Sequence, residues 1–259
     1  MEVGLIGAGN MARALARGWG EPVLCSDGGS GRARELVAEV GGEALSNREV
    51  AERADVVVLC HKPYQLEEVA HEIRGVAKVV ASVLGGVDSR MLRDMYGSTP
   101  AFALMPNTPV EVRRGVIVYA ERPPGAKASQ LDTDAEARVL ELFGRVGVVI
   151  RVPEAQLGPA TALSGVGPAY QALLVEAQVD AAVRRGLGPQ VAGQLMVETL
   201  AGSAALLAHR GYDTLAVRRE VTSPGGSTAR GLEALERGGV RSAFQQAMDA
   251  VISAEGKAR

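Results

Sequence analysis

The chain has 259 residues, 47% of them hydrophobic, with 28 basic and 30 acidic side chains and a formal charge of -2. That length and apolar content allow one large domain or two smaller ones, and two are expected. Near-neutral charge, with no basic cluster interleaved with aromatics, argues against a nucleic-acid partner.

Apolar runs such as residues 56–60 are strand-sized, too short for a bilayer, and the start of the chain lacks a signal-like basic region. A cytoplasmic protein with no membrane partner is expected. Cys25 and Cys60 each close an apolar segment and read as small buried hydrophobes, and His61, His71 and His209 share no metal-ligand spacing. No metal is expected.

In chain order, short Val/Ile/Leu-rich runs at 3–6, 23–26, 56–60, 79–83, 102–104 and 116–119 alternate with helical stretches. Strands separated by helices imply a parallel sheet with helices on both faces, a doubly wound α/β domain over residues 1–152. The first run leads into Gly7-Ala8-Gly9-Asn10-Met11-Ala12 at the start of a helix. This is the strand-turn-helix context in which a Gly-x-Gly-x-x-Ala pattern binds a dinucleotide: Gly7 permits the tight turn, Gly9 lets backbone approach a pyrophosphate, and Ala12 allows close helix packing.

The second run ends at Ser26-Asp27. Asp27 at this place would bind the ribose 2'-hydroxyl of NAD, whereas the neighbouring Ser26, Ser30, Arg32 and Arg34 would suit the 2'-phosphate of NADP. A third reading has Asp27 capping the helix from Arg32. Farther on, Met105-Pro106-Asn107-Thr108-Pro109 closes the fifth run on the carboxyl side of the sheet, where Asn107 offers a donor and an acceptor to a ligand or shapes a loop.

After Pro153 the alternation stops. Segments 168–187, 189–210, 213–220, 229–237 and 240–255 read as helices, giving an all-α domain over 153–259. The first two are apolar around much of their circumference, more than one chain can bury, so a homo-oligomer is expected. Glu176 and Asp180, one turn apart, form a polar stripe.

Between the third and fourth of these helical segments lies Val221-Thr222-Ser223-Pro224-Gly225-Gly226-Ser227-Thr228. Pro fixes the entry, the glycines permit close approach to a ligand, and Ser227 and Thr228 are placed to cap the helix. Such a turn is suited to an anion.

The motif at residues 7–12, Lys62-Pro63, Met105-Pro106-Asn107-Thr108-Pro109 with Gly115, Ser164-Gly165-Val166-Gly167-Pro168-Ala169-Tyr170, and the turn ending at Thr228 occur together in this order. In these the chain resembles the pyrroline-5-carboxylate reductase family almost end to end. The resemblance implies reduction of 1-pyrroline-5-carboxylate to L-proline with NADPH, NADH being the second choice, by a Rossmann domain followed by a helical dimerisation domain. It implies interlocked dimers, assembled in the family into larger rings such as decamers. Cofactor contacts carry over to Ile6, Gly7, Ala8, Gly9, Asn10, Met11, Ser26, Asn47, Lys62 and Pro63. Substrate contacts carry over to Gly226, Ser227 and Thr228, with Asn107 beside them, and the Thr228 hydroxyl is placed to bond the ring nitrogen.

Three positions depart from the family pattern: Val166 where a second Ser is usual, Ser227 for Thr, and Cys60-His61 for a small apolar pair. Two other classes share the dinucleotide motif: a dehydrogenase of another small carboxylated substrate, and a non-catalytic dinucleotide-sensing dimer. The first would need a Lys or other strong acid/base on the helix from Pro168, which carries no Lys; the second would have no need of the turn at 223–228.

Overall fold

The structure, a computed structural model, describes residues 1–121 and 129–257. It forms two compact units, Met1–Pro168 with the C-terminal segment from Ile252, and Ala169–Val251.

The first unit is built on an eight-stranded sheet. Its strands are β1 (Val3–Ile6), β2 (Val23–Ser26), β3 (Gly42–Ala44), β4 (Val56–Leu59), β5 (Val80–Ser82), β6 (Ala101–Pro106), β7 (Gly115–Glu121) and β8 (Gly147–Pro153). They lie in the order β3-β2-β1-β4-β5-β6-β7-β8. The first six follow the order 3-2-1-4-5-6 of a two-halved dinucleotide-binding sheet, whose direction of travel reverses between β1 and β4.

Helices cover both faces, as the alternation of strand and helix predicts. Val3 and Leu5 join one buried cluster with residues of α1 (Asn10–Trp19), α2 (Arg32–Val40) and α6 (Gln130–Gly144). Ile6 joins the other, with α3 (Asn47–Arg53), α4 (Leu66–Ile73), α5 (Ser89–Tyr96) and Leu157 of α7 (Leu157–Ser164). Successive strand side chains point to opposite faces, so one apolar run supplies two cores.

The sheet departs from the sequence reading in three ways. β7 runs antiparallel to β6. The connection at 107–114 is shorter than the dozen or more residues a parallel crossover needs, so the chain can only turn back. β3 adds an edge strand, which makes the strand before Asn107 the sixth, not the fifth. It is exposed and has no β-branched residue, and Gly42 sits at φ 112 where a Cβ would collide with the Val23 carbonyl. β8, parallel to β7, forms the opposite edge and is half exposed, although its Val148-Val149-Ile150 run is as apolar as β1 or β2 and is itself a strand signal.

The second unit consists of α8 (Gly167–Val183, entering from the first unit), α9 (Pro189–His209), α10 (Thr214–Glu220), α11 (Ser227–Arg237) and most of α12 (Val240–Lys257). Their starts fall within two residues of the expected ones. Within this unit Tyr170 and Phe244 meet with ring centroids 6.4 Å apart. No residue of α8 is buried, and only Ala192 of α9 is.

Candidate active site

At the carboxyl ends of β1 and β4, where the strand order reverses, lies a cavity of about 760 Å³. Sheets of this kind bind ligands at that crevice, and the volume falls in the range of small-molecule sites. Ile6, Gly7, Ala8, Gly9, Asn10, Met11, Asn47, Lys62 and Pro63 all line it. Ser26 alone of the expected cofactor residues stands behind the wall. It is buried, and its hydroxyl donates to Asn47 Oδ1 at 2.6 Å, fixing that carboxamide at the cavity edge.

The glycine loop has the geometry its spacing predicts. Gly7 lies at φ 103 and donates its amide to the Ser26 carbonyl at 2.9 Å; a Cβ there would come within 2.6 Å of the Cys60 carbonyl carbon. Only glycine satisfies both constraints. Gly9 caps α1 with no side-chain bond, and a Cβ on it would meet nothing of the protein within 4 Å. The cavity therefore comes right up to this backbone. With no acidic residue in the first turn of α1, its unpaired amides present positive charge to an anion, as a pyrophosphate requires.

Asp27 adopts the capping arrangement. Its Oδ1 accepts from the Gly29 amide at 2.9 Å, and its Oδ2 from the Ser30 hydroxyl and the Ala33 amide, both at 2.9 Å. Burial pushes this carboxyl up, but the bonds from Ala33, Ser30 and Gly29 outweigh it and hold the group below its ordinary 3.8. It stays ionised, its oxygens committed to the amides and hydroxyl of its own turn. Arg32 lines the cavity beside it.

Sequence reasoning missed part of this wall. Val83, Leu84 and Gly85, after β5, line it, as do Gln65, Glu68 and Glu72. The Gly85-Gly86 pair directly after a strand is the signal that could have found the first group. A second cavity, of about 430 Å³, begins at Gly86 and is lined by Asp88, Met105, Glu154 and Thr161 among others. Asp88 caps α5 through the Met91 amide at 2.8 Å, and Glu154 accepts from the Ser89 amide at 2.8 Å.

Asn107 lines neither cavity. Its Nδ2 donates to the Ser164 carbonyl at 3.0 Å and its Oδ1 accepts from the Val116 amide at 2.8 Å. The buried carboxamide thus ties the end of β6 to β7 and to the last residue of α7. This is the loop-shaping alternative, at the place where a substrate contact was expected.

In the helical unit, Ser223-Pro224-Gly225-Gly226 is a tight turn: the Gly226 amide donates to the Ser223 carbonyl at 3.1 Å, and Gly225 takes φ 70. Pro at the second position and a left-handed Gly at the third define a type II turn. α11 starts two residues earlier than the expected 229. Gly226 is its cap, so Ser227 and Thr228 occupy the first turn and do not cap it. Both are exposed, and their amides precede the first helical bond, from Arg230 to the Gly226 carbonyl.

Cys25 and Cys60 are free, and Cys25 is fully buried; burial pushes its thiol up to about 12. Among the described residues no cluster of His, Cys, Asp and Glu could hold a metal.

Residues 154–257 match the family model for pyrroline-5-carboxylate reductase dimerisation, and residues 2–86 match that for NADP oxidoreductase, coenzyme F420-dependent. Pyrroline-5-carboxylate reductase of Arabidopsis thaliana is 33% identical over 269 residues, covering 100% of this chain and 94% of the plant protein. The chain belongs to the pyrroline-5-carboxylate reductase family. Among solved structures of the family, the Streptococcus pyogenes enzyme superposes with a TM-score of 0.86 at 26% identity, covering 98% of each chain. The Plasmodium falciparum pyrroline carboxylate reductase, solved with NADP bound, gives 0.83 at 27% identity and covers 98% of this chain and 97% of its own.

The dimerisation match bears on α9. It has 21 residues, and an 18-residue window within it reaches a mean hydropathy of 1.4, so it is long and apolar enough to cross a membrane by length and composition alone, although its continuous apolar runs are short. Scattered Gly, Gln, Thr and Glu break it into short runs, which is why no continuous apolar segment stood out. The helix lies wholly inside the family's dimerisation segment.

Proposed function

We infer that the chain reduces 1-pyrroline-5-carboxylate to L-proline with NADPH, the last step of proline biosynthesis. The observation that carries this reading is family membership across the whole chain, joined to a dinucleotide cradle at Gly7 and Gly9 that meets the fit such a cofactor demands. Residues 1–152 serve as the dinucleotide-binding half and 153–259 as the half that dimerises and holds substrate.

Ile6, Gly7, Ala8, Gly9, Asn10 and Met11 hold the pyrophosphate and its riboses, with Asn47, Lys62 and Pro63 on the opposite wall and Ser26 orienting Asn47. When bound, the nicotinamide supplies a hydride from C4 to the imine carbon. With the Asp27 oxygens committed to its own turn, the guanidinium of Arg32 is the group suited to a 2'-phosphate, and NADPH is favoured while NADH remains usable.

The unpaired amides after Gly226 and the hydroxyls of Ser227 and Thr228 bind the substrate carboxylate. The Thr228 hydroxyl bonds the ring nitrogen. Hydride addition breaks the carbon–nitrogen π bond, and the nitrogen keeps a proton already carried by the iminium or delivered through water. A hydroxyl is too weak an acid to be the source. Holding the imine carbon in line is the larger contribution; aligned reactants gain about 7–11 kcal/mol in favourable cases. Asn107 acts by bracing the loop, through its two backbone bonds.

The exposed apolar faces of α8 and α9 are covered by a second copy, and dimers assemble into a larger ring such as a decamer in the cytoplasm. Incubation with 1-pyrroline-5-carboxylate and each nicotinamide cofactor, with the product resolved by chiral chromatography, tests the reading. L-proline formed faster with NADPH supports it; cofactor binding without proline moves the sensing dimer to the front.

A further inference from the structure

One polar atom in the wall of the dinucleotide cavity has no explanation in the fold. His61 follows β4 and lines the cavity with Cys60 and Lys62. Its Nδ1 lies 2.8 Å from the Lys62 carbonyl oxygen. A carbonyl only accepts, so Nδ1 carries the proton, and in the neutral ring Nε2 is left as a bare acceptor. Burial lowers the imidazole's affinity for a proton against the opposing bond to Lys62, which keeps the ring neutral at pH 7.

That Nε2 is buried and has no hydrogen-bond partner among the described residues. An acceptor in this state has given up its water and received nothing, a cost that an apolar side chain of similar size would avoid. The ring is bonded through Nδ1 alone. The Lys62 carbonyl that holds it takes a second bond, from the Gln65 amide at 3.0 Å. On the other side the peptide joining Cys60 to His61 presses against the glycine loop, where a Cβ on Gly7 would come within 2.6 Å of the His61 nitrogen. An orphan acceptor held beside the phosphate-binding loop is an arrangement for a ligand that donates.

We propose that His61 is a binding residue for the dinucleotide, its Nε2 accepting a hydrogen bond from a ribose hydroxyl common to NADPH and NADH. The inference rests on the dinucleotide reading of this cavity and adds to it a contact that a small apolar residue at this position could not make. Nε2 is closed off in the cofactor-free protein, so binding requires the ring to turn until Nε2 faces the cavity that the residue lines. The pyrophosphate offers only acceptors, and of the cofactor's donors the ribose hydroxyls adjoin it, whereas the adenine amino group and the nicotinamide carboxamide lie at the two far ends.

The test is direct binding of NADPH and of NADH to the full chain, followed by nicotinamide fluorescence, for the native protein and for His61→Val and His61→Gln, with thermal unfolding of each protein in the absence of cofactor. The proposal expects His61→Val to bind both cofactors roughly three- to tenfold more weakly, the range of one neutral hydrogen bond. It expects the cofactor-free variant to unfold at the same temperature or higher, because an unsatisfied atom has been removed. His61→Gln, whose side-chain oxygen also accepts, should regain at least half of the lost affinity on a logarithmic scale. Unchanged affinity in His61→Val overturns the proposal. So does weakening confined to one cofactor, weakening accompanied by a lower unfolding temperature, or weakening that glutamine does not restore. If the native protein binds neither cofactor, the dinucleotide reading itself fails; if it binds and the variants behave alike, only the assignment to His61 fails.

Discussion

The two units of this chain use apolar residues in opposite ways. In the sheet unit, strands feed two buried clusters and the helices lay their apolar stripes on them, so that side chains such as Leu5, Leu15, Leu59 and Leu92 are fully enclosed within one chain. In the helical unit the apolar side chains of α8 and α9 stay in the open, with Leu173 64% and Leu195 55% exposed. A chain that left such helices bare in solution would be exceptional. The first unit is a self-contained core, whereas the second leaves its apolar helices open and is the part of the chain that matches a dimerisation model.

The largest effect that would break this contrast is a charge placed on the helical face. Leu195→Arg is expected to cost about 3–5 kcal/mol of assembly, the scale of an unpaired buried charge. Light scattering after size exclusion should show dissociated chains, while cofactor still binds to the sheet unit. An unchanged oligomer would mean that this face is not where copies meet.

Next in size is Leu15→Ala, at the centre of the sheet unit. It should lower unfolding free energy by about 2–5 kcal/mol in urea, independent of protein concentration. A concentration-dependent loss would mean that this core, too, is shared between copies.

The glycine loop sharpens the contrast from the functional side. A methyl group on Gly9 meets no protein atom. Gly9→Ala is therefore expected to unfold within a few degrees of the native protein and to bind NADPH at least about tenfold more weakly, since the added Cβ stands where backbone and pyrophosphate approach. Calorimetry and a binding titration on the same sample separate the two effects. Loss of stability equal to the loss of affinity would remove Gly9 from the cofactor site.

The smallest effect concerns Asp27. Because its folded-state pKa lies below the ordinary 3.8, its contribution to stability is fully present above that value and is lost as pH falls through the lower, folded one. Asp27→Ala should cost about 1 kcal/mol at neutral pH, as a lost helix cap does, and the difference from native should shrink below pH 3.8. The NADPH-to-NADH affinity ratio should change little. A large shift of that ratio would make Asp27 a reader of the ribose, not a brace of its turn.

Much of this was legible in the sequence, for identifiable reasons. Gly7 and Gly9 could be placed because a strand, a turn and a helix agree on one geometry, and the buried runs of β1, β2, β4 and β5 because an enclosed parallel strand is continuously apolar. The two edges differ: β3, Gly-Glu-Ala, carries no strand signature, whereas β8 holds Val148-Val149-Ile150, a signal as plain as that of β1 that the strand pattern above does not include. Asp27 was left open because one carboxylate supports three readings until its donors are known. Asn107 looked like a ligand contact because the same donor and acceptor that would serve a substrate serve Ser164 and Val116. His61 stood out only as a departure; that its Nε2 lacks a partner is a fact of packing that no residue pattern encodes.

Reduction of 1-pyrroline-5-carboxylate with NADPH deuterated at nicotinamide C4, followed by NMR of the isolated product, is the experiment that decides the reading. The mechanism requires L-proline with a single deuterium on C5, the former imine carbon. Consumption of cofactor without labelled proline, or no consumption at all, would contradict it.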